Sequence, residues 1–328
     1  MTTDNLENFW EICSQPAFDA LAFKTFYFQY ENNKVYRSFC DLINCNPAEV
    51  TALKDIPYLP ISFFKSNKVC CFESDNGSFF SSSTTTGGIP SKHYFRHLKD
   101  YQISFRKGFE YFFGAIEDFT VLALLPSYLE RSHSSLIYMA NDMIRKSQKT
   151  ESGFYLNQWE NLKKTIIQLE NSEQKTLLLG VSFALLDLVE QYSFDLKHTW
   201  VMETGGMKGR RKEITREALH SQLKKGFGVH KIFSEYGMTE LMSQAYSISE
   251  GIFECPPWMR VAARENQDPF NLLPWGQSGG LNIIDLANRD SCAFIATEDL
   301  ARVHSDKRFE VLGRLDSSEI RGCNLMAI

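Results

Sequence analysis

No two of the eight cysteines stand at the C-x-x-C spacing of a zinc ribbon or a redox motif. Cys13, Cys40, Cys45, Cys70, Cys71, Cys255, Cys292 and Cys323 are scattered, so most are expected as buried thiols in a reducing compartment. The seven histidines supply no metal set. His93 and His97 have helical i,i+4 spacing, but no third ligand accompanies them, and they read as a solvated helix face. A basic excess is also missing: 35 Lys and Arg against 40 Asp and Glu give a net charge of −5, which argues against a nucleic-acid binder. No apolar run reaches membrane-spanning length. The opening stretch MTTDNLENFWEICSQ lacks the basic-then-apolar order of a signal peptide, so the expectation is a soluble cytoplasmic protein. No internal repeat and no low-complexity linker interrupts the chain.

What is present is an ordinary globular composition, 43% hydrophobic and 23% charged, over 328 residues. That length suits one large α/β domain or two modest ones. Phenylalanine is abundant, at 26 residues, and implies a large apolar interior or, as the alternative, an acyl-sized pocket. Residues 5–46 carry Phe9, Trp10, Cys13, Phe18, Leu21 and Phe26 at the spacing of a buried helical stripe. PYLPISFFK (57–65) reads as a proline-set extended connector, and 93–114 as an amphipathic helix. FTVLALLP (119–126) is the continuous apolar run of a buried parallel strand. Helices follow at 134–147 and 157–172, strand then helix at 174–192, a strand at 197–206, a helix at 213–228 and a strand at 230–240. Strands alternating with helices predict an α/β fold with a doubly wound, mainly parallel sheet. From about residue 277 the texture changes to short β pieces.

The most informative stretch is FSSSTTTGGIPSK (80–92), where six consecutive hydroxyl residues run into Gly87-Gly88, then a proline and Lys92. Such a loop can turn backbone N–H groups, hydroxyls and an ammonium toward a polyphosphate. A solvated Ser/Thr/Gly surface loop is the alternative. In doubly wound sheets, ligands bind beyond the carboxyl ends of the strands. ETGGMKG (203–209) and SEYGMTE (234–240) both follow predicted strands there.

Taken together, these segments resemble the adenylate-forming superfamily of acyl-CoA synthetases, luciferases and peptide-synthetase adenylation domains. Within it the chain is most similar to the LuxE-type acyl-protein synthetases. YGMTE (236–240) matches the superfamily's Tyr-Gly-x-Thr-Glu motif, and SSTTTGGIPSK (82–92) resembles its phosphate loop. TEDL (297–300) resembles its Thr-Gly-Asp-Leu, and GRLDSSEIRG (313–322) its hinge segment. LLPSYLERSHSSLIYM (124–139), TGGMKG (204–209) and RGCNL (321–325) resemble the acyl-protein synthetases more narrowly.

The resemblance implies ATP and Mg2+ as cofactors, and roles for particular residues. Glu240 would hold magnesium, Thr239 the α-phosphate, and Tyr236 with Gly237 and Met238 would pack against the nucleotide. Ser83, Thr84, Thr85, Thr86, Gly87 and Lys92 would line the phosphates. Gly205 and Gly206 would lie flat against adenine or the acyl group. Asp299 would accept both ribose hydroxyls, as an acceptor-only carboxylate suits a cis-diol, and Arg314 would stand near ribose or phosphate. His133 and Ser134 fall where an acyl-site residue is often found. Cys323 is the candidate thioester carrier, with Arg321 beside it to favour the thiolate.

Three departures accompany the match. Thr84 replaces the first loop glycine and an extra residue separates Gly87 from Pro90, so Lys92 need not coincide with the family's loop lysine. Glu298 stands where glycine is usual. The resemblance also implies that the mobile C-terminal domain, of about 100 residues, and its lysine are absent. The expected organisation is an N-terminal-type domain over 1–310 (helical lead-in 1–75, nucleotide-binding core 76–276, β portion 277–310) and a hinge-like tail over 311–328. The expected function is ATP-dependent activation of a carboxylic, fatty acid and transfer to a protein thiol, with an acyl-donor or acyl-acceptor protein as partner. The alternatives are an acyl- or aryl-CoA ligase similar to phenylacetate-CoA ligase, or a catalytically weakened nucleotide-binding subunit.

Overall fold

The computed structural model describes residues 8–73, 78–82, 89–125, 133–156, 158–205 and 214–315. The helical stripe at the start is two helices rather than one. Helix α1 (Gln15–Asn32) opens on Ser14, whose side chain accepts the Ala17 N–H, with Pro16 in the first turn. Asn33 ends it by capping α2 (Lys34–Leu42), its Oδ1 accepting the N–H groups of Val35 and Tyr36. The 57–65 connector holds the short strand β1 (Leu59–Pro60) and one turn of helix, α3 (Phe63–Ser66).

Strands β2 (Ser78–Ser81) and β3 (Lys92–Phe95) form an antiparallel hairpin, and helix α4 runs over Leu98–Phe113. The helix expected from residue 93 therefore starts later. In KHYF the side chains alternate: His93 and Phe95 are buried while Lys92 is exposed, which is a strand pattern of period 2. His93 and His97 are consequently not neighbours on a helix face; His93 is buried in β3 and His97 precedes α4.

The central sheet is built from β4 (Thr120–Leu124), β5 (Gly153–Phe154), β6 (Thr176–Val181), β7 (Thr199–Thr204), β8 (Phe233–Tyr236) and β9 (Ala245–Ser247). Its order is β5-β4-β6-β7-β8-β9, parallel except for β9. Helices α5 (Ser135–Ser147), α6 (Trp159–Asn171), α7 (Ser182–Gln191) and α8 (Arg216–Phe227) connect the strands. Every residue of β4 and β6 is buried, as a strand covered on both faces requires. Chain order reverses direction between β4 and β6, the position where doubly wound sheets leave a crevice.

A second sheet follows the texture change: β10 (Ile252–Phe253), β11 (Met259–Arg264), β12 (Ser278–Asp285), β13 (Phe294–Val303) and β14 (Phe309–Arg314), in the order β10-β14-β13-β12-β11. Strand β1 joins it parallel to β13, with Leu59 beside Ile295. The lead-in is thus tied to the C-terminal sheet. Many of the aromatic residues are core: Trp200 stacks on Phe233 at 5.0 Å, and Phe113 and Phe119 meet the same indole edge-on. Of the described cysteines only Cys40, Cys71 and Cys292 are buried; Cys13 is exposed and the rest are half-buried. Among the described residues, no helix is long and apolar enough to cross a membrane.

Candidate functional site

Strand β8 delivers the YGMTE segment at its carboxyl end. Tyr236 is buried, its ring meeting Phe253 and Phe309 edge-on. Its hydroxyl donates to Asp299 Oδ2 at 2.7 Å. Antiparallel register sets Asp299 of β13 beside Arg314 of β14, whose Nε lies 3.9 Å from Asp299 Oδ1. Burial, then the Asp299 charge, holds the Tyr236 phenol well above its ordinary value, so it remains a donor. Burial also raises the Asp299 carboxyl, against the Tyr236 hydrogen bond and the Arg314 charge. Glu298, the residue in glycine's place, receives an Arg314 N–H bond at 2.9 Å and lies 3.9 Å from the Lys65 ammonium. It thus tethers the arginine beside Asp299.

The hydroxyl-rich loop is closed at its base. Ser82 N–H donates to the Ser91 carbonyl at 3.1 Å, and Ser91 N–H donates to Ser82 Oγ at 2.9 Å. The Glu240 carboxyl, only 5% exposed, lies near the buried Ser91 side chain. Burial raises that carboxyl, while Ser91, Lys65 and Arg314 favour its charge. The strand at the far end of the loop meets the YGMTE segment through His93, 2.8 Å from the Thr239 carbonyl. Ser83, Thr84, Thr85, Thr86 and Gly87 lie outside the described residues, as do Gly206 and Cys323. Lys92 is exposed on the strand face opposite Ser91 and His93, its Nζ 5.2 Å from the centre of the Phe79 ring. His133 stacks on the same ring at 4.9 Å, and Ser134 caps α5. Gly237 is exposed, and Met238 and Thr239 are half-buried.

Several residues that hold this site are read otherwise or not singled out from the sequence: His93 is expected there on a solvated helix face, and Asn288, Gln29 and Asp285 are not named. His93 is wholly buried, with Nδ1 2.8 Å from the Thr239 carbonyl and Nε2 2.9 Å from Asn288 Oδ1. Asn288 Nδ2 donates to the Glu240 carbonyl at 2.8 Å. Burial pushes the His93 imidazole down to about 4, although the two oxygens work in the other direction. Gln29 of α1 fixes the Asn288 loop: Nε2 donates to the carbonyls of Asn288 and Arg289, and Oε1 accepts the Ala293 N–H. Asp285 fixes the other side, Oδ2 accepting the N–H groups of Met242 at 2.8 Å and Ser243 at 3.0 Å. The signals were available: a period-2 pattern in KHYF, and the polar run DLANRD (285–290) between two apolar strands.

Strand β7 ends in Glu203 and Thr204, and Gly205 follows it. Gly205 has φ +66°, a left-handed conformation that favours glycine. Beneath it, Glu203 is buried and bonded to Ser182 at 3.0 Å and to Arg216 at 2.8 Å, with His220 Nε2 3.6 Å away. Burial opposes the Glu203 charge, but His220, Arg216 and Ser234 outweigh it and hold the carboxyl below its ordinary value. Among the described residues no group of three or more His, Cys, Asp or Glu could cage a metal. Glu240 fits an ion held by one protein carboxylate together with phosphate oxygens, as magnesium commonly is.

Comparisons with known proteins identify the family and the fold. The family model of acyl-protein synthetase, LuxE, matches residues 8–327. A curated relative, the long-chain-fatty-acid–luciferin-component ligase of Vibrio harveyi, is 23% identical over 341 residues, covering 96% of this chain and 89% of that protein. Among solved structures, a 2-hydroxyisobutyryl-CoA ligase in the postadenylation state, in complex with 2-HIB-AMP, superposes with TM-score 0.64 at 12% identity, over 92% of this chain and 68% of that one. ATP-bound MatB from Rhodopseudomonas palustris gives TM-score 0.54 at 16% identity, over 74% of this chain. The match spans about half of MatB, 49%. At these identities the structural likeness establishes the fold: that of the adenylate-forming ligases. With a family match over nearly its whole length, the chain belongs to the LuxE acyl-protein synthetase family.

Proposed function

We propose that this protein uses ATP to activate a carboxylic acid of the fatty type and passes the acyl group to a protein thiol. The observation that carries the reading is the 2.8 Å contact between His93 Nδ1 and the Thr239 carbonyl, which holds the strand leaving the 82–92 loop against the YGMTE turn, with Tyr236, Asp299 and Arg314 adjoining. In the first step a carboxylate oxygen attacks the α-phosphorus of ATP. The bond to the bridging oxygen breaks, and pyrophosphate departs with the electron pair. In the second, a thiolate attacks the acyl carbonyl, a thioester forms, and AMP leaves with the electrons of the C–O bond. Cys323 is the acceptor in this reading, or a cysteine of a partner protein.

The remaining roles follow from residue chemistry. Ser83, Thr84, Thr85, Thr86, Gly87 and Lys92 serve the phosphates, and Thr239 the α-phosphate. Asp299 and Arg314 serve the ribose side. Tyr236, Gly237, Met238, Gly205 and Gly206 border the base. Glu240 would hold magnesium, which when bound neutralises phosphate charge. The chain through residue 310 serves as the nucleotide-binding part and 311–328 as the hinge segment. The name of the Vibrio harveyi relative supports a long-chain fatty acid as substrate.

The test is ATP–pyrophosphate exchange across acids of increasing chain length, with intact-mass spectrometry. Exchange is expected with fatty acids and should fall about 10²–10³-fold in Glu240→Gln. Cys323→Ser should keep exchange and lose the acyl mass increment. No exchange with any acid overturns activation; release of a coenzyme A thioester without a protein adduct overturns the protein acceptor.

A further inference from the structure

A cavity of about 590 Å³ lies between the lead-in segment 39–62 and the sheet β11–β14. Its size is within the range of small-molecule sites, about 300–1,000 Å³. Strand register builds one wall. Pro60 of β1 pairs with Ala296 of β13, Ala296 with Asn282 of β12, and Asn282 with Ala262 of β11. Residues paired across strands, or two apart along one, share a sheet face. Tyr58, Asn282 and Arg264 therefore stand on one face, and all three line the cavity.

These groups have donors to spare. Arg264 is 9% exposed, and its guanidinium donates to the Leu281 carbonyl, Asn282 Oδ1 and the Thr297 carbonyl. All are neutral oxygens, and no carboxylate pairs with it among the described residues. Asn282 is 1% exposed, and its Nδ2 is buried without a hydrogen-bond partner. The Tyr58 hydroxyl donates to no described residue, and burial raises its phenol so that it stays protonated. The carboxylates on the walls are already served. Glu298 has Arg314 and Lys65, Asp55 accepts the Ala52 N–H at 2.8 Å, and Glu49 accepts from Asn46 at 2.9 Å. Apolar surface completes the cavity through Phe39, Ile43, Ile61 and Leu272, with Phe270 61% exposed beside them. A buried cation and unpaired donors beside apolar walls call for an anionic acceptor on an apolar body.

We propose that this cavity binds a medium-chain carboxylic acid, its carboxylate on Arg264, Asn282 and Tyr58 and its tail against Phe39, Ile43 and Leu272. The choice of an acid over other apolar anions rests on the acyl-activating reading above. The bound acid is not the reacting one. The cavity lining includes Glu298 but not Asp299, Tyr236 or Glu240, so the two sites are neighbours with different linings.

The test is photolabelling of the full chain, without ATP, by a decanoic acid analogue carrying a diazirine in its tail. Adducts are expected in peptides covering 39–62 and 264–272 and should be competed by decanoate. Labelling should fall about ten-fold in Tyr58→Phe and in Asn282→Leu. It should be lost in Ile61→Trp, which fills the cavity, and persist in Glu240→Gln; circular dichroism identifies any variant that fails to fold. Adducts confined to 233–245, no saturable adduct, or labelling unchanged in folded Tyr58→Phe and Ile61→Trp would overturn the proposal. Labelling without pyrophosphate exchange supports the cavity and removes the activation reading; exchange without labelling does the reverse.

Discussion

His93 carries the least conspicuous role among single residues. Its ring is sealed between the Thr239 carbonyl and Asn288, and the neutral form can donate to only one of the two oxygens it faces. Burial nevertheless dominates and lowers its pKa from 6.5 to about 4. The folded state then binds fewer protons than the unfolded state between those values. Stability is complete above pH 6.5 and declines as pH falls toward 4, by about 1.4 kcal/mol per unit. Between pH 7 and pH 5 the wild type should lose about 2 kcal/mol more than His93→Gln, which does not titrate. Urea unfolding of both proteins at the two pH values measures this difference. An equal loss in both would mean that the imidazole titrates normally.

At the scale of elements, Gly226 decides how closely two helices approach. It lies inside α8, where helix propensity alone favours alanine by about 1 kcal/mol. A Cβ there would stand 2.3 Å from Val189 Cβ of α7. Relieving that overlap costs about 1–3 kcal/mol. The steric term outweighs propensity, so Gly226→Ala should be destabilising, and adding Val189→Gly, which removes the clashing Cβ, should restore part of the loss. A urea midpoint for Gly226→Ala above that of the wild type would refute the close approach. Helices and strands of this central layer were legible in the sequence because their signals are local: unbroken apolar runs in β4 and β6, and helical spacing in α5 and α6. The start of α4 was misread because β3 exists only through pairing with β2, four residues long and across the hydroxyl-rich loop. The site divided in the same way. Tyr236, Glu240 and Asp299 stand in recognisable motifs, whereas Asn288 meets His93 across 195 positions and Gln29 meets Asn288 across 259.

For the molecule as a whole, the question is what makes two sheets behave as one body. Asp285, at the end of β12, is fully buried and reaches across to the segment leaving the YGMTE turn. Its carboxylate accepts from Met242 N–H, Ser243 N–H, the Ser243 hydroxyl and Ala287 N–H. Burial raises its pKa despite those four donors, so its charge is held at a cost that the donors offset. Removing the carboxylate orphans main-chain donors in a region with no ready replacement, at about 1–3 kcal/mol for each left unpaired. Asp285→Ala should therefore lose about 3 kcal/mol or more. It should also uncouple the layers, because the central sheet keeps its own buried strands while the second sheet loses its anchor. Hydrogen exchange of peptides 176–204 and 278–303 along a urea series reads this directly. In the wild type the two peptides should open at one midpoint, and in Asp285→Ala the 278–303 peptide should open first. Coincident midpoints in the variant would mean that apolar packing alone joins the layers and that the Asp285 contacts serve only the site.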